Sequence, residues 1–251
     1  MSGHSKWATT KHRKAAQDKK RSALFSKLTR NVFVAAKSGD ANPDNNAALA
    51  AAIAKAKSYS LPKDKIDAAI AKAHASASDG STWDEVIYEG YGPDGVAIYV
   101  ETLTDNRNRT ASDIRSAFTK AGGNLGTSGS VAFQFERKGE IVIDKTDDLD
   151  EDELMLLVAE CDGDDMEVAD GEVIVETTPA SVMAVKRALE DAGVVVRGAE
   201  LVMEPVNAQE VSTETAKRTM RLIDRLEELD DVQSVYHTMD LTEEQFAAIG
   251  E

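Results

Sequence analysis

The chain has 251 residues, 42% hydrophobic and 29% charged, with a net charge of −16, the balance of a globular protein of one to a few domains. Its longest uncharged apolar run is the eight residues 47–54, far short of the ~20 of a membrane span, and the N-terminus has no apolar stretch behind its basic residues, as a secretory signal would. One cysteine, Cys161, excludes an internal disulfide and a CxxC metal or redox motif, so a reducing cytoplasm is the expected compartment.

The net charge is unevenly spread. Residues 1–75 carry 12 Lys and 3 Arg against five Asp, a net of +10, whereas residues 76–251 carry 14 basic against 40 acidic residues, a net of −26. Such segregation is the electrostatic footprint of a basic nucleic-acid-binding arm on an acidic body.

Taken in chain order, 14–37 reads as a helix with Leu24, Leu28, Val32 and Ala35 in one stripe, ended by Gly39. Asn42-Pro43 supplies an N-cap and a first-turn proline for a second helix. Ser60-Leu61-Pro62 separates it from a third, carrying Ile66, Ile70 and Ala73. Residues 75–82 have linker composition. From Trp83 the pattern changes to strands at 86–91 and 96–103 around the turn Gly92-Pro93-Asp94-Gly95. A helix capped by Asp105 follows, with Ile114 and Phe118 on its apolar face. The glycine-rich stretch 122–129 reads as a flexible loop, and alternating Val131, Phe133 and Phe135 predict a strand.

Residues 139–204 hold a complete β-α-β-β-α-β order, the ferredoxin-like signature, with a hairpin turn at Asp170-Gly171. The remaining helix 213–229 and strand 232–238 could not bury a core alone. They are expected to complete the layer begun by 83–136. The predicted architecture is therefore α+β: an N-terminal helical domain (1–80) plus two α/β ferredoxin-like domains, one (137–204) inserted into the other (81–136 and 205–251).

Several motifs resolve into structural roles. Gly90 to Gly95 matches GxGxxG, but a strand follows and Pro93 lies inside it, so it reads as a hairpin and not a dinucleotide loop. The acidic run 147–153 lacks the glycine and glutamate of a calcium loop and suits a helix N-terminus. His4, His12, His74 and His237 have no sequence context that names a nucleophile. No enzyme activity, cofactor, metal or small-molecule substrate is expected.

The basic arm is the strongest signal. With Leu24 at 0° on a 100° wheel, the apolar stripe lies within 80°, while Lys19, Arg30 and Lys37 fall near 220–240°, a cationic rail that could hold phosphates. Candidate nucleic-acid contacts are Lys6, Trp7, Lys11, His12, Arg13, Lys14, Lys19, Lys20, Arg21 and Arg30. Trp7 could stack on a base or dock on the helices. Arg107 and Arg109, at a helix start beside the glycine loop, form a second candidate phosphate site. The alternative is that they pair with carboxylates of the acidic body.

The stretches GHSKW at 3–7, KHRKAAQDKKR at 11–21, GYGPDGVA at 90–97, TDNRNRT at 104–110 and GGNLGTSGSVAFQF at 122–135 resemble the YebC family, and the helix–strand order of the second half agrees. Thr9-Thr10 departs from the Asn and Ile usual there. The resemblance implies a helical domain and two α/β domains, one inserted, and no known catalysis. It also implies a regulator of gene expression: a DNA-binding transcriptional regulator first, or a ribosome-associated translation factor contacting rRNA or tRNA and relieving stalling. The expected partner is nucleic acid, with no membrane.

Overall fold

The protein, a computed structural model, is described at residues 21–75, 82–146, 149–169 and 171–250. The first helix, α1 (Arg21–Ser38), buries Leu28, Val32 and Ala36. This is an i, i+4, i+8 row, which turns ~40° per step around the axis, so Ala36 is buried and Ala35 only half-buried. Helices α2 (Ala47–Ser58) and α3 (Lys63–Ala75) follow, burying Leu49 and Ala56, and Ile66, Ala69 and Ala73.

The first helix connection differs from the sequence expectation. Asn42 caps only a short 3-10 turn, Pro43–Asn45, through its side chain and the Asp44 N–H. Asn46 does the larger work. Its Nδ2 donates to the carbonyls of Ala35 (2.9 Å) and Asp40 (2.7 Å), and its Oδ1 accepts from Leu49 N–H at 3.0 Å. One buried side chain thus closes the C-terminus of α1 and the N-terminus of α2. Gly39 leaves it room, since a Cβ there would lie 2.7 Å from Asn46 Nδ2.

The chain divides into two compact units, one holding the described residues to Ala56, Leu61–Phe135 and those from Pro205 onward, the other Lys57–Ser60 with Glu136–Glu204. In the first, β1 (Asp84–Tyr91) and β2 (Ala97–Thr104) form an antiparallel hairpin in full register from Asp84↔Thr104 to Tyr91↔Ala97. Its turn, Pro93–Gly95, has positive φ at Asp94 and Gly95. Then come α4 (Arg107–Lys120) and β3 (Asn124–Leu125). From the C-terminal part come β8 (Gln209–Glu210), α7 (Thr213–Glu227), β9 (Val232–His237), β10 (Met239–Asp240) and α8 (Glu243–Gly250). The main sheet has the order β3-β1-β2-β9, with β9 antiparallel to β2 (Ile98↔His237, Val100↔Val235), and β8 and β10 make a small parallel pair. Val96, Ile98, Val100 and Val235 of the sheet region pack with Ile114 and Phe118 of α4 and with Met220, Ile223 and Leu226 of α7.

Two expectations are corrected in this unit. The N-cap of α4 is Asn106, whose side chain accepts from Arg109 N–H at 3.1 Å; Asp105 is free to pair with an arginine instead. Residues 131–135 are no strand of this sheet. A 3-10 turn occupies Ala132–Gln134, leaving Val131 buried and Phe133 exposed, and the fourth strand is Asn124–Leu125, inside the predicted loop. Gly90 and Gly123 make that pairing possible. A Cβ at Gly123 would lie 2.5 Å from the Tyr91 carbonyl, and one at Gly90 2.7 Å from that of Asn124.

The second unit contains most of β4 (Phe135–Asp144), then α5 (Glu151–Glu160), β5 (Asp165–Ala169), β6 (Glu172–Thr177), α6 (Val182–Asp191) and β7 (Val196–Pro205). Its order, β5-β6-β4-β7, is the ferredoxin-like arrangement. Ile141, Ile143, Val173 and Val175 meet Leu154, Val158, Val185 and Leu189 in its core. Asp150 caps α5 by accepting from Asp152 and Glu153 N–H, which accounts for the acidic start of that helix; Asp147 and Asp148 lie outside the described residues.

Candidate nucleic-acid interface

Lys6, Trp7, Lys11, His12, Arg13, Lys14, Lys19 and Lys20 lie outside the described residues, as does the side chain of Arg21. Three candidate arginines are described, and carboxylates hold all three. Arg30 is not on an outward rail. Its Nη1 donates to the Asp230 carbonyl at 2.7 Å and to Asp231 Oδ1 at 3.1 Å, and its guanidinium lies 5.3 Å from the Trp83 ring centroid. Nearby, Lys27 donates to the Glu227 carbonyl at the end of α7. Lys27 and Arg30 turn to this side because the C-terminus of α7 and the following loop offer carbonyls and a carboxylate there.

Asp231 is the centre of this arrangement. Its side chain is 9% exposed. Oδ2 accepts from Arg109 Nη2 (2.8 Å), Thr110 Oγ1 (2.7 Å) and Thr104 Oγ1 (3.2 Å), while Oδ1 accepts from Arg30. Burial pushes the Asp231 carboxyl up, but hydrogen bonds from Arg109, Thr110 and Thr104 and the Arg109 charge outweigh it and hold it below the usual carboxylate range. Arg109 also meets Asp105 at 2.9 Å. Arg107 pairs with Asp84 at 2.8 Å on an exposed surface, and its carbonyl accepts from Tyr88 Oη.

The glycine loop does not lie beside them as expected: it follows the opposite end of α4 and pairs with Gly90 and Tyr91 at the far end of β1. The Glu89 side chain accepts backbone N–H groups from Gly129 (2.6 Å), Val131 (2.7 Å) and Ala132 (2.8 Å), and its own carbonyl accepts from Gly126 at 2.7 Å. This is an amide nest of the kind that binds anions, and the anion is the protein's own. Burial raises the Glu89 carboxyl, but the three N–H groups together lower it further. The stretch expected as a flexible loop, 122–129, thus has its Gly126 and Gly129 amides bonded within the protein and Asn124–Leu125 paired with β1.

Asp231, Glu89 and Asn46 escape a sequence reading. Asp231 lies 121 residues from Thr110 and Glu89 43 from Ala132, so no local spacing marks them. Of the histidines, His237 is buried with Nδ1 accepting from Met239 N–H, and His74 is exposed in the last turn of α3. Among the described residues no group of three or more His, Cys, Asp or Glu could hold a metal ion, and no helix is long and apolar enough to cross a membrane.

Comparison with known proteins accounts for nearly the whole chain. Residues 5–76 match the TACO1/YebC protein N-terminal domain and residues 83–239 the TACO1/YebC second and third domain. A "Probable transcriptional regulatory protein" of Rubrobacter xylanophilus is 49% identical over 249 residues, 99% of each chain. One from Photorhabdus laumondii is 50% identical over 245 residues, 97% of this chain and 98% of its own. A conserved hypothetical protein of Aquifex aeolicus has a similar structure, with a TM-score of 0.80 and 42% identity over 89% of this chain and 91% of that one.

Proposed function

The chain belongs to the TACO1/YebC family, and on that premise we propose that it is a non-enzymatic regulator of gene expression that binds DNA through its lysine-rich N-terminal segment. The observation that carries this reading is the charge segregation, +10 over residues 1–75 against −26 over the remainder. Arg30, Arg107 and Arg109 are already neutralised by carboxylates, so the phosphate contacts fall to Lys6, Lys11, Arg13, Lys14, Lys19, Lys20 and Arg21, with His12 beside them and Trp7 available to stack. A mostly lysine segment holds phosphates but reads no base edges, so binding is weakly sequence-specific. The protein acts in the cytoplasm with nucleic acid as its partner and needs no cofactor. The name carried by the relatives, probable transcriptional regulatory protein, agrees with this role.

Fluorescence anisotropy on a random-sequence DNA duplex tests the reading. With ~5 phosphates engaged, the log–log dependence of affinity on salt has a slope near −4 to −5. Deleting residues 1–20 removes most of the affinity. A slope near zero, or a deletion variant that binds as tightly as the parent, overturns the reading.

The strongly acidic body supports a second reading, a ribosome-associated translation factor contacting rRNA or tRNA. A charge of −26 opposes an extended duplex but complements basic ribosomal proteins. Sucrose-gradient sedimentation of a lysate separates the two: co-migration with ribosomes supports this reading, and absence from them excludes it.

A further inference from the structure

We infer that the outer faces of α4 and α7 together form a second phosphate-binding surface, one that holds the DNA backbone alongside the N-terminal segment. This rests on the nucleic-acid reading above and adds a site to it.

The two helices carry eight basic against four acidic residues. The rest of residues 76–251 carries six basic against 36 acidic. Their apolar faces are sealed in one core, Ile114 and Phe118 from α4 and Met220, Ile223 and Leu226 from α7, so their polar faces lie on the same side of the sheet. On α7, Arg218, Arg221 and Arg225 follow a 3, 4 spacing, one stripe of a helix, with Arg221 and Arg225 exposed. On α4, Arg115 and Lys120 are exposed. Arg218 reaches the end of α4: a Cβ on Gly122, just past that helix, would lie 3.3 Å from its Nη2.

Among the described residues, six of the eight cations of the acidic body that make no ion pair lie on these two helices, the other two being Arg137 and Arg187. Elsewhere in the acidic body Lys138 is held by Glu176 and Glu204, Lys145 by Glu151, Lys186 by Glu190, and Arg197 by Asp144 and Glu172. Arg115, Lys120, Arg218, Arg221 and Arg225 make no ion pair among the described residues, although carboxylates outnumber cations over residues 76–251 as a whole. A protein with this acid excess that leaves five neighbouring cations unneutralised has a surface charged for an external polyanion. From Arg218 to Arg225 the stripe rises ~10 Å along the helix.

The test uses the full-length chain and the same duplex. The parent is compared with the triple variant Arg218→Gln, Arg221→Gln, Arg225→Gln and with a control, Arg137→Gln with Arg187→Gln, which removes two other exposed cations without ion pairs among the described residues. Thermal melting checks that the variants fold. The triple variant is expected to weaken binding by about tenfold or more and to flatten the salt slope by ~2–3, since each lost phosphate contact contributes ~0.9, while the control matches the parent. A triple variant that binds with the parent's affinity and slope overturns the inference and leaves the N-terminal reading standing. If the control loses as much as the triple variant, only net charge matters, and the surface is likewise rejected. A parent that does not bind the duplex overturns the function and this surface with it. Loss confined to anionic phospholipid vesicles, with duplex binding intact, assigns the surface to a membrane and overturns the inference.

Discussion

Arg109 and Asp231, 122 residues apart in the chain, meet at 2.8 Å, and through them the start of α4 is fastened to the loop before β9. Arg30 of α1 reaches the other oxygen of the same carboxylate, so one acid joins three segments. Breaking such a pair from the arginine side strands a mostly buried charge.

Arg109→Ala is therefore expected to destabilise the protein by about 2 kcal/mol, a figure kept below the range for fully buried pairs because Arg109 is half exposed and Arg30 remains. That corresponds to a fall in Tm of ~4–8 °C for a unit of this size. Arg107→Ala, whose pair with Asp84 is exposed on both sides, should melt with the parent. Differential scanning calorimetry separates the two. Loss of duplex binding at unchanged Tm in either variant would return these arginines to the interface.

Glu89→Gln removes the anion from the amide nest while keeping its shape. It should lower Tm at pH 7 and speed amide exchange over residues 126–132. The Glu89 carboxyl is depressed in the folded state, so its stabilisation is present above its unfolded value of ~4.3 and is lost as pH falls through the lower folded value. The gap in Tm between parent and variant should accordingly be widest at neutral pH and close on acidification below ~4. A gap independent of pH would show that the loss does not depend on the charge of the carboxylate, and no gap at pH 7 that the N–H groups bind Gln as well.

Asn46→Ala opens both helix ends at once and is expected to cost about 1–2 kcal/mol, read from urea unfolding midpoints. Asn42→Ala removes the cap of a short 3-10 turn only and should cost much less. Equal effects would mean that the connection is held mainly by Asn42.

Gly123→Ala places a methyl 2.5 Å from the Tyr91 carbonyl, so β3 must move off β1. A loss of ~1–3 kcal/mol is expected from the forced displacement. Gly129→Ala has open space around its Cβ but a φ of +83°, so its cost is backbone strain of about 1 kcal/mol or more. Thermal melts that rank Gly129→Ala well above Gly123→Ala would contradict the close approach of the two strands.

Hydrophobic period and punctuation are local properties, and what they determine was readable from the chain. The stripe through Leu28 and Val32, the hairpin around Pro93–Gly95 and the β-α-β-β-α-β order of residues 139–204 all follow from side-chain spacing within one or two elements. The same holds for the charge segregation and for the family motifs. Tertiary structure decided what each charge faces. Arg30 reads as an outward cation on a wheel, yet it turns to a carboxylate 201 residues away. The glycine loop reads as mobile because glycine permits motion, yet Glu89 supplies the anion that its N–H groups require. Asn124–Leu125 becomes a strand through its pairing with Gly90 and Tyr91, whereas Val131 to Phe135, which alternates as a strand should, has no strand partner in that sheet and forms a turn around buried Val131. The cation stripe of α7 was present in the spacing of Arg218, Arg221 and Arg225, but only the packing of α7 beside α4 makes it a shared surface. Periodicity arises from covalent geometry and is fixed within a few residues; a charge or backbone N–H is satisfied by whatever the fold brings within 3 Å, and the chain's local order does not contain that distance.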